Sequence, residues 1–178
     1  MCAGLLPLQP RPILQIDPRA TILIAGQAPG RKAHESGVPF NDPRGDRLRS
    51  WMGVDRETFY DASRIAILPM GLCFPGTGSG GDLPPRPECA PAWRRRLLAL
   101  LPRLQLTLVI GSYAQAWHLN SGDKTRSVTD AVLGWQAQWP TVLPLPHPSP
   151  RNQRWLRNNA WFEAELLPRL GERVRSLL

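Results

Sequence analysis

A chain of 178 residues with 42% hydrophobic and 20% charged side chains has the composition of one folded domain and is too short for two ordinary ones. No apolar run approaches the roughly 20 residues that span a bilayer, and MCAGLLPLQPRP lacks the basic start and long apolar centre of a secretory leader, so a cytoplasmic protein is expected. Lys and Arg number 22 against 14 Asp and Glu, a net charge of +8 carried mostly by arginine, which points to a polyanionic partner such as nucleic acid.

Residues 1–18 are proline-rich and without hydrophobic period, and read as an arm lying on a single domain of residues 19–178. ATILIAG (20–26) is a short, almost wholly apolar run ending in glycine, the pattern of a strand buried on both faces. DPRGDRLRSWMGV (42–54) follows as a helix, with Asp42 as cap, Pro43 in its first turn and Leu48, Trp51 and Met52 at helical spacing. RIAILPMG (64–71) is a second strand. PECAPAWRRRLLALLPRL (87–104) is a second helix, its apolar side read as Trp93, Leu97, Leu100 and Leu101. LTLVIGS (106–112) is a third strand, whose Ser112 is placed to cap the helix YAQAWHL, with Trp117 and His118 read as packing. TVLPLPH (141–147) is the fourth strand, and a final amphipathic helix covers about 155–177. Strands alternating with helices imply a three-layer α/β/α fold around a central four-stranded parallel sheet.

In open parallel sheets ligands bind beyond the carboxyl ends of the strands. Those ends carry GQAPG (26–30), PMGLCFPG (69–76), GSYAQ (111–115) and HPSPRN (147–152), with the richest chemistry after the first and last. Gly26 and Gly30 permit close backbone approach with exposed N–H groups, although a glycine pair around Ala-Pro is also an ordinary turn. His147 adds a titratable group at the end of the last strand. Cys2, Cys73 and Cys89 contain no C-x-x-C pair and are expected as free or buried thiols in a reducing compartment.

Taken together, these residues resemble the uracil-DNA glycosylase superfamily. GQAPG is similar to its first motif, with relatives of the form GQDPY, GEAPG and G-x-NPG, and HPSPRN to its second, in the version of the single-strand-selective monofunctional branch. Pro39-Phe40 follows the first motif at the distance found in the iron–sulfur branch. The resemblance implies a uracil-DNA glycosylase-like fold and a damaged nucleotide flipped out of DNA into a pocket. It assigns Phe40 to stack on the base, and His147 to stabilise negative charge developing on the base's O2. Gly26, Gln27 and Ala28 would lie beside the base and the attacking water, while Ser149, Arg151, Asn152, Arg154 and Arg157 would face phosphates. Pro150 and Arg151 fall where relatives insert a wedge into the vacated stack.

Three departures from the pattern matter. The acid or amide that orients water in the relatives is replaced by Ala28, with Gln27 before it, and a glutamine positions water without acting as a base. Pro69 and Met70 stand where an Asn reads the uracil edge, leaving main-chain groups of Met70 and Gly71 as candidate readers. Cys73 and Cys89 match only the last two cluster cysteines of the iron–sulfur branch, so no cluster, metal or other cofactor is expected. His34 and Glu35 are further candidates for orienting water. No lysine lies in the motifs to form a Schiff base, so the implied enzyme is a monofunctional glycosylase acting on DNA as a monomer. A weakened relative that binds DNA or nucleobase without efficient cleavage stays open. A hydrolase using Ser149 and His147 is a poor alternative, since no G-x-S-x-G elbow is present.

Overall fold

The computed structural model describes residues 2–119 and 127–178. Its strands are β1 (Ile22–Ala25), β2 (Ile65–Ile67), a small antiparallel hairpin of β3 (Thr77–Gly78) and β4 (Gly81–Asp82), β5 (Leu106–Ile110) and β6 (Val142–Leu145). Four of them form one parallel sheet in the order β2-β1-β5-β6. The expected parallel sheet is therefore present, each strand two to five residues shorter than its apolar run because the loop residues leave the ladder early.

Strand side chains alternate between two cores, as the period of two requires. Ile22 and Ile24 share one face with Ile65, Ile67, Leu106, Leu108, Leu143 and Leu145. Leu23 and Ala66 face the other side with Leu68, where Ala25 and Val109 also pack. Pro144 lies inside β6 opposite Val109 and is tolerated because β6 is an edge strand, with one neighbour to satisfy.

The first face is covered by α2 (Pro43–Met52) and by the C-terminal helix, in which a π-helical stretch Phe162–Leu166 runs into α8 (Leu167–Leu177). Leu166, Leu170 and Val174 are fully buried against the sheet, each worth about 1.5–3 kcal/mol. Asp42 caps α2 as expected, its carboxylate accepting from the amides of Arg44 and Gly45, and Gly53 ends it in the left-handed conformation. Shorter helices α1 (Arg31–Ser36), α3 (Arg56–Tyr60) and α6 (Val128–Leu133), of five or six residues each, are too short for a helical period to show.

Several expectations are corrected. The helix over 87–104 is short: a π-helical stretch Ala90–Arg94 leads into α4 (Arg95–Leu98). A π turn takes an extra residue per turn and rotates the phase. Arg94 is consequently turned inward at 2% exposure, while Trp93 and Leu100, read as core, are 44% and 53% exposed. Helix α5 (Gly111–His118) begins a residue before Ser112, so Ser112 lies within it rather than capping it. The helix expected from 155 is two pieces, α7 (Gln153–Asn158) and the C-terminal helix, separated where Asn159 leaves helical geometry.

The arm is not merely draped over the domain. Gln15 forms an isolated antiparallel bridge with Ile67, its side chain donates to the carbonyls of Phe59 and Ile65, and Ile13 is buried.

The inward Arg94 satisfies groups behind the β2 loop, donating to the carbonyls of Leu68 and Pro69 at 3.0 and 3.2 Å and to His118 Nε2. His118, read as simple packing, is thus the acceptor for a buried cation. Burial holds its imidazole down at about 4, which keeps it neutral and able to accept. Replacing Arg94 by Ala removes donors from three buried acceptors, and urea unfolding is expected to show a loss of about 2–4 kcal/mol.

Candidate active site

The loops after β1 and β6 face each other across an open cleft of about 480 Å³ lined by Gln27, Ala28, Arg31, Lys32, Asp42, Arg44, His147, Ser149 and Arg151, among others. Behind it lies a smaller pocket of about 40 Å³ bounded by Gly26, Ala28, Phe40, Ile67, Pro69, Ile110 and His147. Gln27, Ala28, Asp42, Arg44 and His147 line both. The two motifs thus converge, and so does Phe40, contributed by the segment between α1 and α2.

Phe40 has a positive φ of 53°, rare for a non-glycine residue and costly by about 1–3 kcal/mol. Its surroundings account for it. Pro39 is held through its carbonyl by the Tyr60 hydroxyl, and the Phe40 ring packs at a right angle to Phe59 with its Cζ end toward Gly26. The Phe40 carbonyl turns into the first turn of α2, where a side chain at Gly45 would collide with it. Gly45 is thus a supporting residue that sequence reasoning missed; a glycine inside an otherwise regular helix start was the available signal.

His147 is half-buried at the exit of β6. Its backbone carbonyl accepts from Asn152 Nδ2 at 2.7 Å, so Asn152, expected at a phosphate, is turned back to fix the loop. Gln115, buried on α5, donates to the carbonyl of Leu145 and steadies the end of the same strand. Burial first, and the Arg44 charge second, push the His147 imidazole down to about 4, against a smaller opposing effect of Asp42 and Asp82. His147 is therefore neutral near pH 7, a single N–H donor rather than an imidazolium.

The Ser149 hydroxyl oxygen accepts from the amide of Arg151, and the Ser149 carbonyl accepts from Arg47, so Arg47 reinforces the second motif. Arg151 is exposed and reaches over the cleft to the carbonyl of Gly80 on the β3–β4 hairpin. Arg154 and Arg157 are exposed on α7 and line neither cavity. The Gln27 amide is directed to the Leu83 carbonyl at 3.4 Å. Lys32, outside the motifs, lines the outer cleft.

Opposite His147 the arrangement differs from expectation. Pro69 borders the inner pocket, but the amides of Met70 and Gly71 donate to the carbonyls of Gly26 and Gln27 at 2.9 Å each. They are already engaged, and the Met70 side chain is buried with Ala25, Ala90 and Val109 on the far face of the sheet. His34 and Glu35 line neither cavity; His34 packs against Phe74, and the arm's Arg11 binds both carbonyls. The cysteines do not suit a four-thiolate cluster: there are three of them, and burial pushes the Cys73 and Cys89 thiols up, away from the thiolate. Among the described residues no helix is long and apolar enough to cross a membrane.

Two measurements check this geometry. Because the folded chain holds His147 and His118 well below the ordinary 6.5, the unfolded chain binds more protons between that pH and about 4. Urea-measured stability should fall as pH drops through this window, on the order of 3 kcal/mol per histidine at its lower end. His147→Asn should remove about half of the slope, whereas a flat profile would contradict the burial of both rings. Gly45→Ala should cost about 1–3 kcal/mol and displace the Phe40 ring, read by near-ultraviolet circular dichroism.

A strand-end histidine facing a glycine-flanked turn, with an aromatic ring behind them on a parallel sheet, is an arrangement the sequence motifs alone left as an expectation. Over residues 14–171 the chain matches the family model described as the uracil DNA glycosylase superfamily. That span takes in both motifs, all four strands of the sheet and the last five residues of the arm, and the chain belongs to the uracil DNA glycosylase superfamily.

Proposed function

We propose that this protein is a monofunctional DNA glycosylase that hydrolyses the N-glycosidic bond of a damaged base, with uracil as the first candidate, in base excision repair. The observation that carries the reading is the convergence of neutral His147, the Gln27–Ala28 backbone and the Phe40 ring on one pocket at the strand ends.

The chemistry follows from those groups. A flipped nucleotide enters through the outer cleft, whose Arg31, Lys32 and Arg151 attract phosphate and fix register without reading sequence. Phe40 offers a face for stacking, worth about 1–3 kcal/mol and tolerant of base identity. As the glycosidic bond lengthens, electrons move onto the base and the sugar becomes cationic. The His147 N–H, fixed by its loop, donates to the oxygen where that negative charge gathers. Gln27 orients water toward the sugar carbon; once water has added, its proton passes to bulk solvent or to the departing base. Asp42 is held ionised by Arg44 and by two backbone amides and is not a free base, so the rate rests on charge stabilisation.

This enzyme is expected to work as a cytoplasmic monomer. Lys32 lies at the cleft and not in the inner pocket, which favours base release without a Schiff base.

Labelled oligonucleotides containing uracil, hypoxanthine or xanthine, single-stranded and in each pairing, provide the test. Strand breaks should appear only after alkali, and His147→Ala should lower the single-turnover rate by about 10²–10³. Salt-sensitive binding without base release from any substrate would replace the reading with that of a DNA-binding relative.

A further inference from the structure

The inner pocket, about 40 Å³, has room for one or two waters and is too small for a base. Arg44 and Asp42 stand at its neck, lining both the pocket and the cleft outside it. The Arg44 guanidinium makes three bonds with unequal partners. Nε and Nη2 donate to Asp42 Oδ2 at 2.9 and 2.6 Å, and Nη1 donates to Asp82 Oδ2 at 3.0 Å. The Asp42 side chain is 6% exposed and fixed by the amides of α2, whereas that of Asp82 is 30% exposed on the two-stranded hairpin. A side chain at Gly30 would collide with Nη2, so the last glycine of the first motif lets the guanidinium lie directly against that loop.

Resting on the glycosylase reading, we infer that Arg44 is the specificity-determining residue of this pocket and that Asp82 holds its outward donor until a carbonyl oxygen of the flipped base replaces it. A guanidinium offers donors only. A 4-oxopyrimidine or 6-oxopurine presents an oxygen to Nη1 and takes over the bond given up by Asp82. Cytosine or adenine presents an amino group instead, which sets donor against donor and leaves the desolvated Nη1 without an acceptor. Arg44 thereby supplies, from the α2 side, the edge recognition that Pro69 cannot supply from the β2 side. Exchange at Asp82 also frees the hairpin, leaving the contacts of Arg151 with Gly80 and of Gln27 with Leu83 to yield as the pocket widens.

Binding of oligonucleotides carrying 2′-fluoroarabino-uridine, 2′-fluoroarabino-cytidine or a tetrahydrofuran abasic site, followed by fluorescence anisotropy, tests this without requiring bond cleavage. Wild-type protein should prefer the uracil analogue to the cytosine analogue by about tenfold or more, a preference reduced to about twofold or less in Arg44→Gln. Abasic-site affinity, which reports phosphate contacts, should stay within about twofold. Asp82→Ala should tighten binding of the uracil analogue several-fold and leave the abasic site unaffected. Absence of preference in wild type, its retention in Arg44→Gln, equal weakening on the abasic site, or weaker uracil binding in Asp82→Ala would each overturn the assignment. Parallel release assays on ordinary deoxyuridine separate the two readings: preference without release overturns the catalytic reading alone, and release without Arg44-dependent preference overturns this one alone.

Discussion

Two backbone hydrogen bonds beyond the last paired residues of β1 and β2 set the site. The Met70 amide donates to Gly26 and the Gly71 amide to Gln27, which extends the parallel ladder into the loops and makes the first motif a rigid continuation of the sheet. Arg94 closes the same loop from behind by binding the carbonyls of Leu68 and Pro69. With those two amides and two carbonyls engaged, Pro69 stands as a wall of the inner pocket. On the opposite side the start of α2 brings Asp42 and Arg44 to the pocket, with the Arg44 guanidinium against Gly30.

Charge is distributed in keeping with that division of labour. The cleft gathers basic side chains at its rim, as a polyanion requires, while the histidine within is stripped of its proton by burial and by the neighbouring guanidinium. A neutral imidazole in such a field is a better partner for a growing negative charge than for a resting one. In the proposed reaction it would gain a hydrogen bond in the transition state without carrying a desolvated charge in the ground state, which is the condition for lowering a barrier rather than merely tightening binding. The price of this arrangement is acid sensitivity.

The sheet and the location of the site were legible in the sequence because their causes are local. ILIA and IAI are apolar on both faces and LTLVI is so apart from Thr107, and a parallel sheet places their carboxyl ends together. HPSPRN announced a loop with a histidine at a strand end, though not that Asn152 folds back onto the backbone of His147. What remained hidden depends on tertiary context. The π turn that exchanges Trp93 for Arg94 is a phase shift, invisible to any fixed period, and it is justified only by three acceptors from elsewhere in the chain. Arg44 carried no signal of its own in the sequence, since its second carboxylate partner lies on a hairpin almost 40 residues away. Even Gly45 had its reason in a carbonyl rather than in the helix that contains it.

The bridge between Gln15 and Ile67 has a consequence of another kind. β2 is an outer strand of the sheet, and a row of open backbone groups there is a template for pairing with a second chain. By occupying that edge with its own extended segment, the protein shields an adhesive border, and the same segment places Ile13 in the lining of the inner pocket. Colloidal behaviour and pocket shape are thereby tied to one short stretch of chain, so a change that loosens the arm exposes the edge and reshapes the pocket together.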